Sequence, residues 1–215
     1  MGNKLICPSM MCADFSNLKQ EVENLVEARI DIFHLDIMDG RFVPNFGMGL
    51  QDVETIRKLT DQLVDVHLMI ENPGEYVEPF ADMGIDIIYF HPEADKHPAR
   101  TIDKIKGKQK KVGLAINPGT SIGMVEELLP MIDYIMVMTV NPGFAGQTYL
   151  DYVNRKIKRL VSLKCNYDYQ VMVDGAISPE KIEELSKLGV DGFVLGTSSL
   201  FGKEKSYKEL VSNYK

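Results

Sequence analysis

Residues 33–38 read FHLDIM, a run in which bulky apolar residues occupy every second position. Successive side chains of a β-strand point to opposite faces, so His34, Asp36 and Met38 share one face and the apolar residues between them take the other. That second face can pack against helices. The run therefore predicts a strand that presents an imidazole and a carboxylate on one wall of a sheet.

The sequence predicts seven further strands, with amphipathic helical patterns between them. One helix has an apolar stripe that includes Val22, Leu25 and Ile30. Another begins where Ser178 can cap it and a proline suits its first turn, and Gly189 closes it. The predicted strands are Leu5 to Met10, Ile32 to Ile37, Leu63 to Met69, Ile87 to His91, Lys111 to Ile116, Tyr134 to Val140, Gln170 to Val173 and Gly192 to Leu195.

Alternating strands and helices predict an α/β fold with a parallel sheet. Eight βα units in 215 residues suit a compact closed barrel, the (β/α)8 or TIM barrel. An open doubly wound sheet usually has a glycine-rich turn after its first strand, and residues 8–12 contain no glycine. We find no linker and no clear repeat, and we predict one barrel domain over residues 1–215.

Composition excludes several classes of protein. The net charge of −7 disfavours nucleic-acid binding, which needs a clustered basic surface. No apolar run approaches the roughly 20 residues that span a bilayer, and residues 1–4 lead directly into a strand-like segment. The three cysteines have no metal-type spacing, and their odd number argues against a closed disulfide framework. We expect a cytoplasmic protein with no nucleic-acid or membrane partner.

Polar residues gather at the strand ends where barrel enzymes hold their active sites. Ser9 ends the first strand and Asp174 ends the seventh, while His34 and Asp36 lie on the second. His67 lies on the third strand, on the face that also carries an aspartate and a methionine. Two imidazoles and two carboxylates could converge on one divalent cation.

A structural interpretation exists for each of these four residues. The histidines could be core residues satisfied by neighbours, and the aspartates could cap turns. Unpartnered buried charges are costly, however, and one shared cation removes that cost, so the pattern favours a metal site. We place His91 and Glu93 outside this set, because Pro92 alone explains the end of the fourth strand.

Glycine-containing turns after three strands could hold a phosphate group through backbone N–H donors. These turns are residues 141–147, Gly175-Ala176, and residues 196–198, which we place just before a short helix. The last two lie where many barrels hold phosphate. The turns predict a small phosphorylated ligand.

Taken together, the residues resemble the ribulose-phosphate 3-epimerase family from Pro8 to about Phe201. The resemblance implies a ribulose-phosphate-binding type of TIM barrel that assembles as a homo-oligomer, usually a dimer or a hexamer. The matching segments are Pro8-Ser9, residues 13–15 (ADF), 34–40 (HLDIMDG), 42–45 (FVPN), 66–69 (VHLM), 141–144 (NPGF), 146–147 (GQ), 173–175 (VDG) and 196–197 (GT).

The resemblance also implies an isomerase that inverts C3 of a ketose phosphate through an enediolate. It implies one divalent metal ion, zinc, iron(II), manganese or cobalt, held by His34, Asp36, His67 and Asp174, with the two aspartates as acid and base. The residues implied to contact the substrate are Ser9, Met38, Met69 and Met138. Those implied to bind its phosphate are Gly143, Phe144, Ala145, Gly146, Gly175, Ala176, Gly196 and Thr197.

Four positions depart from the pentose-phosphate enzymes of the family. Those enzymes typically have glycine at the positions of Ala145 and Ala176, and serine at those of Thr139 and Thr197. These differences resemble the allulose-6-phosphate 3-epimerase branch, whose ketose is one carbon longer. We therefore expect conversion of D-allulose 6-phosphate to D-fructose 6-phosphate, with D-ribulose 5-phosphate to D-xylulose 5-phosphate as the alternative.

Two other functions compete with epimerisation. A sugar-phosphate sensor would need the phosphate turns but not two opposed carboxylates. A metal-independent barrel lyase or decarboxylase would place a lysine among its active-site charges, whereas Lys111 begins its strand at the wrong end. Both are less consistent with the sequence.

Overall fold

The computed structural model describes residues 4–215, so the prediction for the start of the chain at residues 1–3 lies outside the described residues. Eight parallel strands form one sheet, as predicted. The strands are β1 (Leu5–Pro8), β2 (Ile32–Met38), β3 (Leu63–Met69), β4 (Ile87–Phe90), β5 (Lys111–Ile116), β6 (Tyr134–Met138), β7 (Gln170–Asp174) and β8 (Gly192–Leu195).

Seven α-helices lie among the described residues. The last but one begins after Ser178, whose side chain caps it, and ends at Gly189 with a φ of 98°, as the sequence predicted. Across residues 4–215, every helix is too short or too polar to cross a lipid bilayer. The helices are α1 (Leu18–Glu27), α2 (Leu50–Leu59), α3 (Val77–Asp82), α4 (Pro98–Gly107), α5 (Asn154–Leu163), α6 (Pro179–Leu188) and α7 (Tyr207–Tyr214).

The connection between β5 and β6 differs from the predicted pattern. It contains two 3-10 segments, Ile122–Met124 and Glu126–Met131, in place of an α-helix. Pro130 lies inside the second segment, and proline cannot donate the backbone hydrogen bond that an α-helix needs. Helix α1 also ends at Glu27, so Ile30 is buried beyond the helix.

Several strand ends also differ from the prediction. Strands β1, β4 and β6 end before Met10, His91 and Val140. Met10 starts a 3-10 turn, and His91 caps the 3-10 turn that begins at Pro92, so both strands stop before these residues. Strand β7 continues one residue further, and Asp174 therefore belongs to the strand itself.

The strand order β1-β8-β7-β6-β5-β4-β3-β2 curves the sheet into a nearly closed barrel. Between β1 and β2, Ser9 pairs with His34 in an isolated parallel bridge. The register places Asp36 beside His67 on β3, and Met138 beside Asp174 on β7. Closure and register together bring the polar strand ends to one rim.

The barrel interior is filled below that rim. Tyr89 is fully buried there, and its ring occupies the space next to Gly113, where an added Cβ would lie 2.1 Å from the ring. The Tyr89 and His34 ring centroids are 6.4 Å apart. Packed side chains therefore support the polar residues from below, and the outward faces of the strands pack against the helices.

The opposite rim carries a hydrogen-bond motif that occurs four times, which we call the aspartate lock. An aspartate before each even-numbered strand accepts the N–H of a residue on the preceding strand and returns its own N–H to that residue's C=O. The carboxylate distances are 2.7–2.9 Å. The pairs are Asp31 with Ile6, Asp86 with Val64, Asp133 with Val112, and Asp191 with Val171.

The locks give the barrel a four-fold internal repeat that the sequence analysis did not detect. Each aspartate follows isoleucine or valine and also contacts one cationic side chain at 2.6–3.1 Å. A charged acceptor on a backbone N–H strengthens that hydrogen bond. The locks therefore join the strands in pairs at the end of the barrel that carries no predicted site residue.

Removing one lock tests this role. Asp86→Ala should lower the free energy of unfolding by about 1–3 kcal/mol, because the buried Val64 N–H loses its charged acceptor. Urea unfolding measures the effect. The control is Asp82→Ala, which removes an exposed carboxylate whose one ion pair within residues 4–215 is with Lys108, and it should cost at most about 1 kcal/mol. Equal losses in the two variants would contradict a structural role for the lock.

Candidate functional site

Side chains from β2, β3 and β7 meet inside the barrel at the carboxyl ends of the strands. His34, Asp36, His67 and Asp174 each offer one ligand atom, and these atoms all lie within 4.8 Å of one another. The first three are buried and Asp174 is half-buried. The structure thus brings together the four residues that we predicted as metal ligands.

Asp36 lies at the centre of this cluster. Its Oδ2 accepts a hydrogen bond from the Ser9 hydroxyl at 2.7 Å. Its Oδ1 lies 3.2 Å from His67 Nδ1 and 3.3 Å from His34 Nε2. Burial would raise the pKa of Asp36, but the two histidines hold it well below its usual range. Asp36 is therefore ionised at neutral pH.

Asp65 determines the orientation of His34. The two residues are fully buried, and His34 Nδ1 lies 2.6 Å from Asp65 Oδ1. A carboxylate at this distance favours a proton on Nδ1, so Nε2 is the nitrogen that faces Asp36 and the cluster. Histidines that bind metals in proteins commonly have such a carboxylate behind them.

Three carboxylates, those of Asp36, Asp65 and Asp174, concentrate negative charge in this buried space. Burial opposes protonation of His34, but Asp65 and Asp36 raise its pKa well above the ordinary value. Burial and Asp36 raise the pKa of Asp174 to about 7. A divalent cation would supply the positive charge that protons otherwise provide, and the donor set suits several first-row ions. The residues present therefore fit a metal ion.

A second imidazole lies directly behind His67. The Nε2 atoms of His67 and His91 are 2.9 Å apart, and His91 Nδ1 lies 3.6 Å from Glu93 Oε2. Burial lowers the pKa of His91 to about 4. Burial would raise the pKa of Glu93, but His91, Thr120 and the Asn117 amide lower it to about 2. An ionised carboxylate thus faces a neutral imidazole.

The cluster forms the floor of a pocket that opens to solvent. Ser9, Asp36 and Asp174 reach the pocket surface, while His34 and His67 are buried beneath it. The remaining predicted site residues all line the pocket: Met38, Met69, Met138, Gly143, Phe144, Ala145, Gly146, Gly175, Ala176, Gly196 and Thr197.

The turn after β7 has a backbone conformation that depends on glycine. Gly175 has a φ of 117°, and a Cβ there would lie 2.5 Å from Val140 Cγ2. Ala176 follows with a φ of 52°, a left-handed conformation that is unfavourable for alanine. The Thr139 hydroxyl donates to the backbone carbonyls of Asp174 and Gly175. The loops after β6 and β7 are therefore held together next to the pocket.

The prediction of a short helix after residues 196–198 is wrong. The N–H groups of residues 199–201 all donate to the Gly196 carbonyl, at 3.4, 3.0 and 3.2 Å, and the next α-helix begins at Tyr207. Several donors on one carbonyl make a tight turn, whereas a helix needs successive carbonyls to accept in order. No helix N-terminus among the described residues faces an anion from this turn, although the turn itself lines the pocket.

Sequence analysis missed some residues of this site. Asp65 had a visible signal, since its alternation with His67 placed it on the inward face, but the pattern did not show that it contacts His34. Met11 and Cys12 also line the pocket. They lie on a 3-10 turn that our prediction of a strand through Met10 obscured.

The pKa of Asp174 generates a pH-dependent prediction. Asp174→Asn should stabilise the metal-free protein at pH 8 by on the order of 2 kcal/mol, or roughly 5 °C in Tm. The folded pKa, about 7, exceeds the ordinary 3.8, so stability falls as pH rises between these values and the aspartate ionises. The gain should be largely lost near pH 4, where the folded state holds the proton and the unfolded state, with its ordinary pKa of 3.8, is about half protonated.

Thermal unfolding of chelator-treated protein at both pH values measures this difference. The control is Asp82→Asn, which changes an exposed carboxylate away from the pocket. A gain from Asp174→Asn that is the same at pH 4 and pH 8 would contradict the raised pKa.

Comparison with known proteins matches residues 5–201 to the family described as the ribulose-phosphate 3 epimerase family. The ribulose-phosphate 3-epimerase of Synechocystis sp. is 41% identical over 200 residues, which cover 91% of this chain and 87% of that protein. The ribulose-phosphate 3-epimerase of Bacillus subtilis is 38% identical over 208 residues, which cover 95% of each chain.

A solved structure of 3-hexulose-6-phosphate synthase from Salmonella typhimurium has a TM-score of 0.70 and covers 98% of this chain and 96% of that chain. Its sequence identity is 17%, so this likeness shows the barrel fold alone. The family match and the two epimerases extend over most of the sequence. The chain therefore belongs to the ribulose-phosphate 3-epimerase family and is an epimerase of the isomerase class.

Proposed function

We propose that this chain inverts C3 of D-ribulose 5-phosphate to give D-xylulose 5-phosphate, with a divalent metal ion as cofactor. One observation carries the proposal: Asp36 and Asp174 approach the pocket floor from separate strands, within a cluster of metal-binding geometry. The names of the relatives support the five-carbon substrate.

Inversion at C3 requires removal of the proton next to the C2 carbonyl and return of a proton to the opposite face. One face needs a base while the other needs an acid. Asp36 is ionised and can accept a proton, whereas the pKa of Asp174 near 7 allows it to donate one. The reverse reaction exchanges the two roles.

The metal would be held by His34, Asp36, His67 and Asp174. When bound, it supplies Lewis-acid stabilisation of the negative charge that develops on the substrate oxygens. The Ser9 hydroxyl, 2.7 Å from Asp36, orients that carboxylate and can also contact a substrate hydroxyl.

The pocket walls divide the remaining tasks. Met38, Met69 and Met138 provide an apolar surface near the reacting carbons. The turns at residues 143–146, 175–176 and 196–197 would hold the phosphate through backbone N–H donors, which needs no net positive charge. The ketose would then span the distance between the phosphate turns and the carboxylates.

The six-carbon ketose D-allulose 6-phosphate, which the sequence favoured, remains the second candidate. The named relatives do not support it, because they are ribulose-phosphate 3-epimerases. A specific observation still favours it: Ala176 lines the pocket in a left-handed conformation, so its Cβ alters the wall of a phosphate turn. A displaced phosphate would leave room for one more carbon.

Removing either carboxylate tests the acid–base roles. Asp36→Asn and Asp174→Asn should each slow C3 inversion by about 10²–10⁴-fold, because a proton can no longer be supplied to both faces. Each variant retains one carboxylate and should still exchange the C3 proton of one of the two epimers with D2O. Proton NMR of the recovered sugar phosphates measures inversion and exchange separately.

Metal content is measured in the same samples, since both residues are also proposed ligands, and Asp82→Asn is the control. A metal-loaded variant that inverts C3 at the wild-type rate would remove that aspartate from the mechanism. Loss of inversion with unchanged sugar-phosphate binding in both variants is the result that a sensor could not give, because a sensor has no inversion to lose.

Substrate and metal dependence are tested in one steady-state experiment. The value of kcat/KM for D-ribulose 5-phosphate should exceed that for D-allulose 6-phosphate by roughly 10-fold or more, because the two ketoses differ by one carbon unit. Chelation should abolish turnover, and added zinc, manganese, cobalt or iron(II) should restore it.

Each other outcome selects a different function. A preference for the six-carbon ketose would establish the second candidate, and Ala176→Gly should then shift activity toward the five-carbon sugar. Binding without turnover would favour a sensor. A product with fewer carbons would favour a lyase or decarboxylase.

A further inference from the structure

The side chains behind His67 form a row that the proposed reaction does not use. Its members are His67, His91 and Glu93, linked at 2.9 Å and 3.6 Å. His67 and His91 are fully buried, and the Phe42 ring lies 4.8 Å from the His91 ring. Water is thereby kept from the His67 to His91 contact, so these side chains themselves determine where its protons lie.

We propose that Glu93 and His91 are positioning residues that keep the proton of His67 on Nε2, so that Nδ1 is free to bind the metal. This inference rests on the metal site of the proposed function. It assigns a role to the segment His91-Pro92-Glu93, which lies outside the ligand cluster.

The distances along this row indicate which nitrogen of each histidine carries the proton. His67 Nδ1 faces the cluster, 3.2 Å from Asp36 and 3.7 Å from Asp174, so it is the nitrogen that would bind a metal. A neutral imidazole that binds through Nδ1 carries its proton on Nε2. That proton points at His91 Nε2, which must accept it, and His91 then carries its own proton on Nδ1.

Glu93 stabilises this arrangement at the far end. Its Oε2 is the charged oxygen nearest His91 Nδ1, and neither atom has a hydrogen-bond partner among the described residues. A carboxylate attracts an N–H at this position and repels a lone pair. Glu93 therefore favours the His91 tautomer that accepts from His67.

Glu93 itself is held in place by the loop that follows β5. Its Oε1 accepts hydrogen bonds from the Asn117 N–H at 2.9 Å and from the Thr120 hydroxyl. The loop that carries these donors is bound by Lys156, whose Nζ donates to the carbonyls of Asn117 and Pro118 at 2.7 and 2.9 Å. The carboxylate thus cannot turn away from His91 without losing these bonds.

The two histidine ligands are therefore supported in different ways. His34 has the carboxylate of Asp65 directly behind it, at 2.6 Å. His67 has an imidazole behind it and a carboxylate behind that. Groups in this outer position typically change metal affinity by 10–100-fold when they are substituted.

Glu93→Gln should move the protons of His91 and His67 to their other ring nitrogens, while the size of the side chain at position 93 stays the same. The amide oxygen must stay on the Asn117 N–H, so the amide NH2 turns toward His91 Nδ1 and favours a lone pair there. His91 then carries its proton on Nε2 and donates it to His67. The proton of His67 moves to Nδ1, where it competes with the metal.

The experiment measures zinc affinity by competition with a chelator in wild type, Glu93→Gln and Glu21→Gln. Glu93→Gln should weaken zinc binding by about 10–100-fold. Glu21→Gln is the matched control and should leave it unchanged, since Glu21 is a half-buried carboxylate on α1 that accepts a hydrogen bond from Tyr207. At saturating zinc, Glu93→Gln should recover kcat to within a few-fold of wild type.

A double-mutant cycle shows whether Glu93 acts through His91. His91→Phe removes the acceptor of the His67 proton and should also weaken zinc binding. Adding Glu93→Gln to His91→Phe should then change the affinity by less than about 2-fold, because the link between the carboxylate and His67 is already broken.

Nitrogen-15 NMR of the imidazoles gives a readout independent of activity. The chain has four histidines, so their signals can be assigned by substitution. In the zinc-loaded wild type, His91 should carry its proton on Nδ1 and His67 on Nε2. The opposite tautomer of His91, or wild-type zinc affinity in Glu93→Gln, would overturn the proposal.

These results separate the inference from the function on which it rests. Zinc binding by a wild type that does not invert C3 would refute the proposed function and leave the positioning role intact. Zinc binding that Glu93→Gln does not weaken would refute the positioning role alone. A wild type that binds no divalent metal would refute both.

Discussion

Negative charge held in a buried space is the condition on which this structure depends. Asp36, Asp65 and Asp174 come together on the inward faces of three strands, and in the described part of the chain two imidazoles, those of His34 and His67, lie among them. Such a group is unfavourable unless positive charge compensates it. The raised pKa values of His34 and Asp174 are direct consequences, since each group that takes up a proton reduces the excess charge. A site built in this way is suited to holding a cation.

The same condition explains why the two carboxylates that face the pocket behave differently. Asp36 has both histidines and the Ser9 hydroxyl around it, so its charge is stabilised. Asp174 lies next to another carboxylate and has fewer donors, so it holds a proton more readily. The proposed reaction uses this difference, with identical side chains serving as acid and base because their surroundings differ. The barrel produces this difference by placing the two aspartates on separate strands.

Much of this arrangement could be predicted from the sequence, because it depends on local periodicity. Alternation within residues 33–38 places His34 and Asp36 on the inward face in any strand, and the barrel then brings strand ends to one rim. Contacts between side chains on different strands follow no such rule. The pairing of His34 with Asp65, and the approach of Glu93 to His91, depend on the register and on loop positions.

The errors of prediction have physical causes of the same kind. The expected helix after residue 198 does not form, because three N–H groups donate to the single carbonyl of Gly196. The conformation of the whole loop determines these bonds. The β5–β6 connection is wound as 3-10 turns around Pro130. The four-fold repeat escaped notice because only two residues recur in each copy. A motif that short becomes visible when its hydrogen bonds are seen.

The position of the aspartate locks has a consequence for how such a barrel can change during evolution. The locks lie at the rim opposite the pocket, and they join the strands there without using any residue that lines it. Substitutions in the loops that surround the pocket therefore leave these bonds intact. New substrate specificity can arise when those loops change, while the locks at the opposite rim are kept. The residues that adapt to a new sugar and the residues that keep the chain folded belong to separate sets.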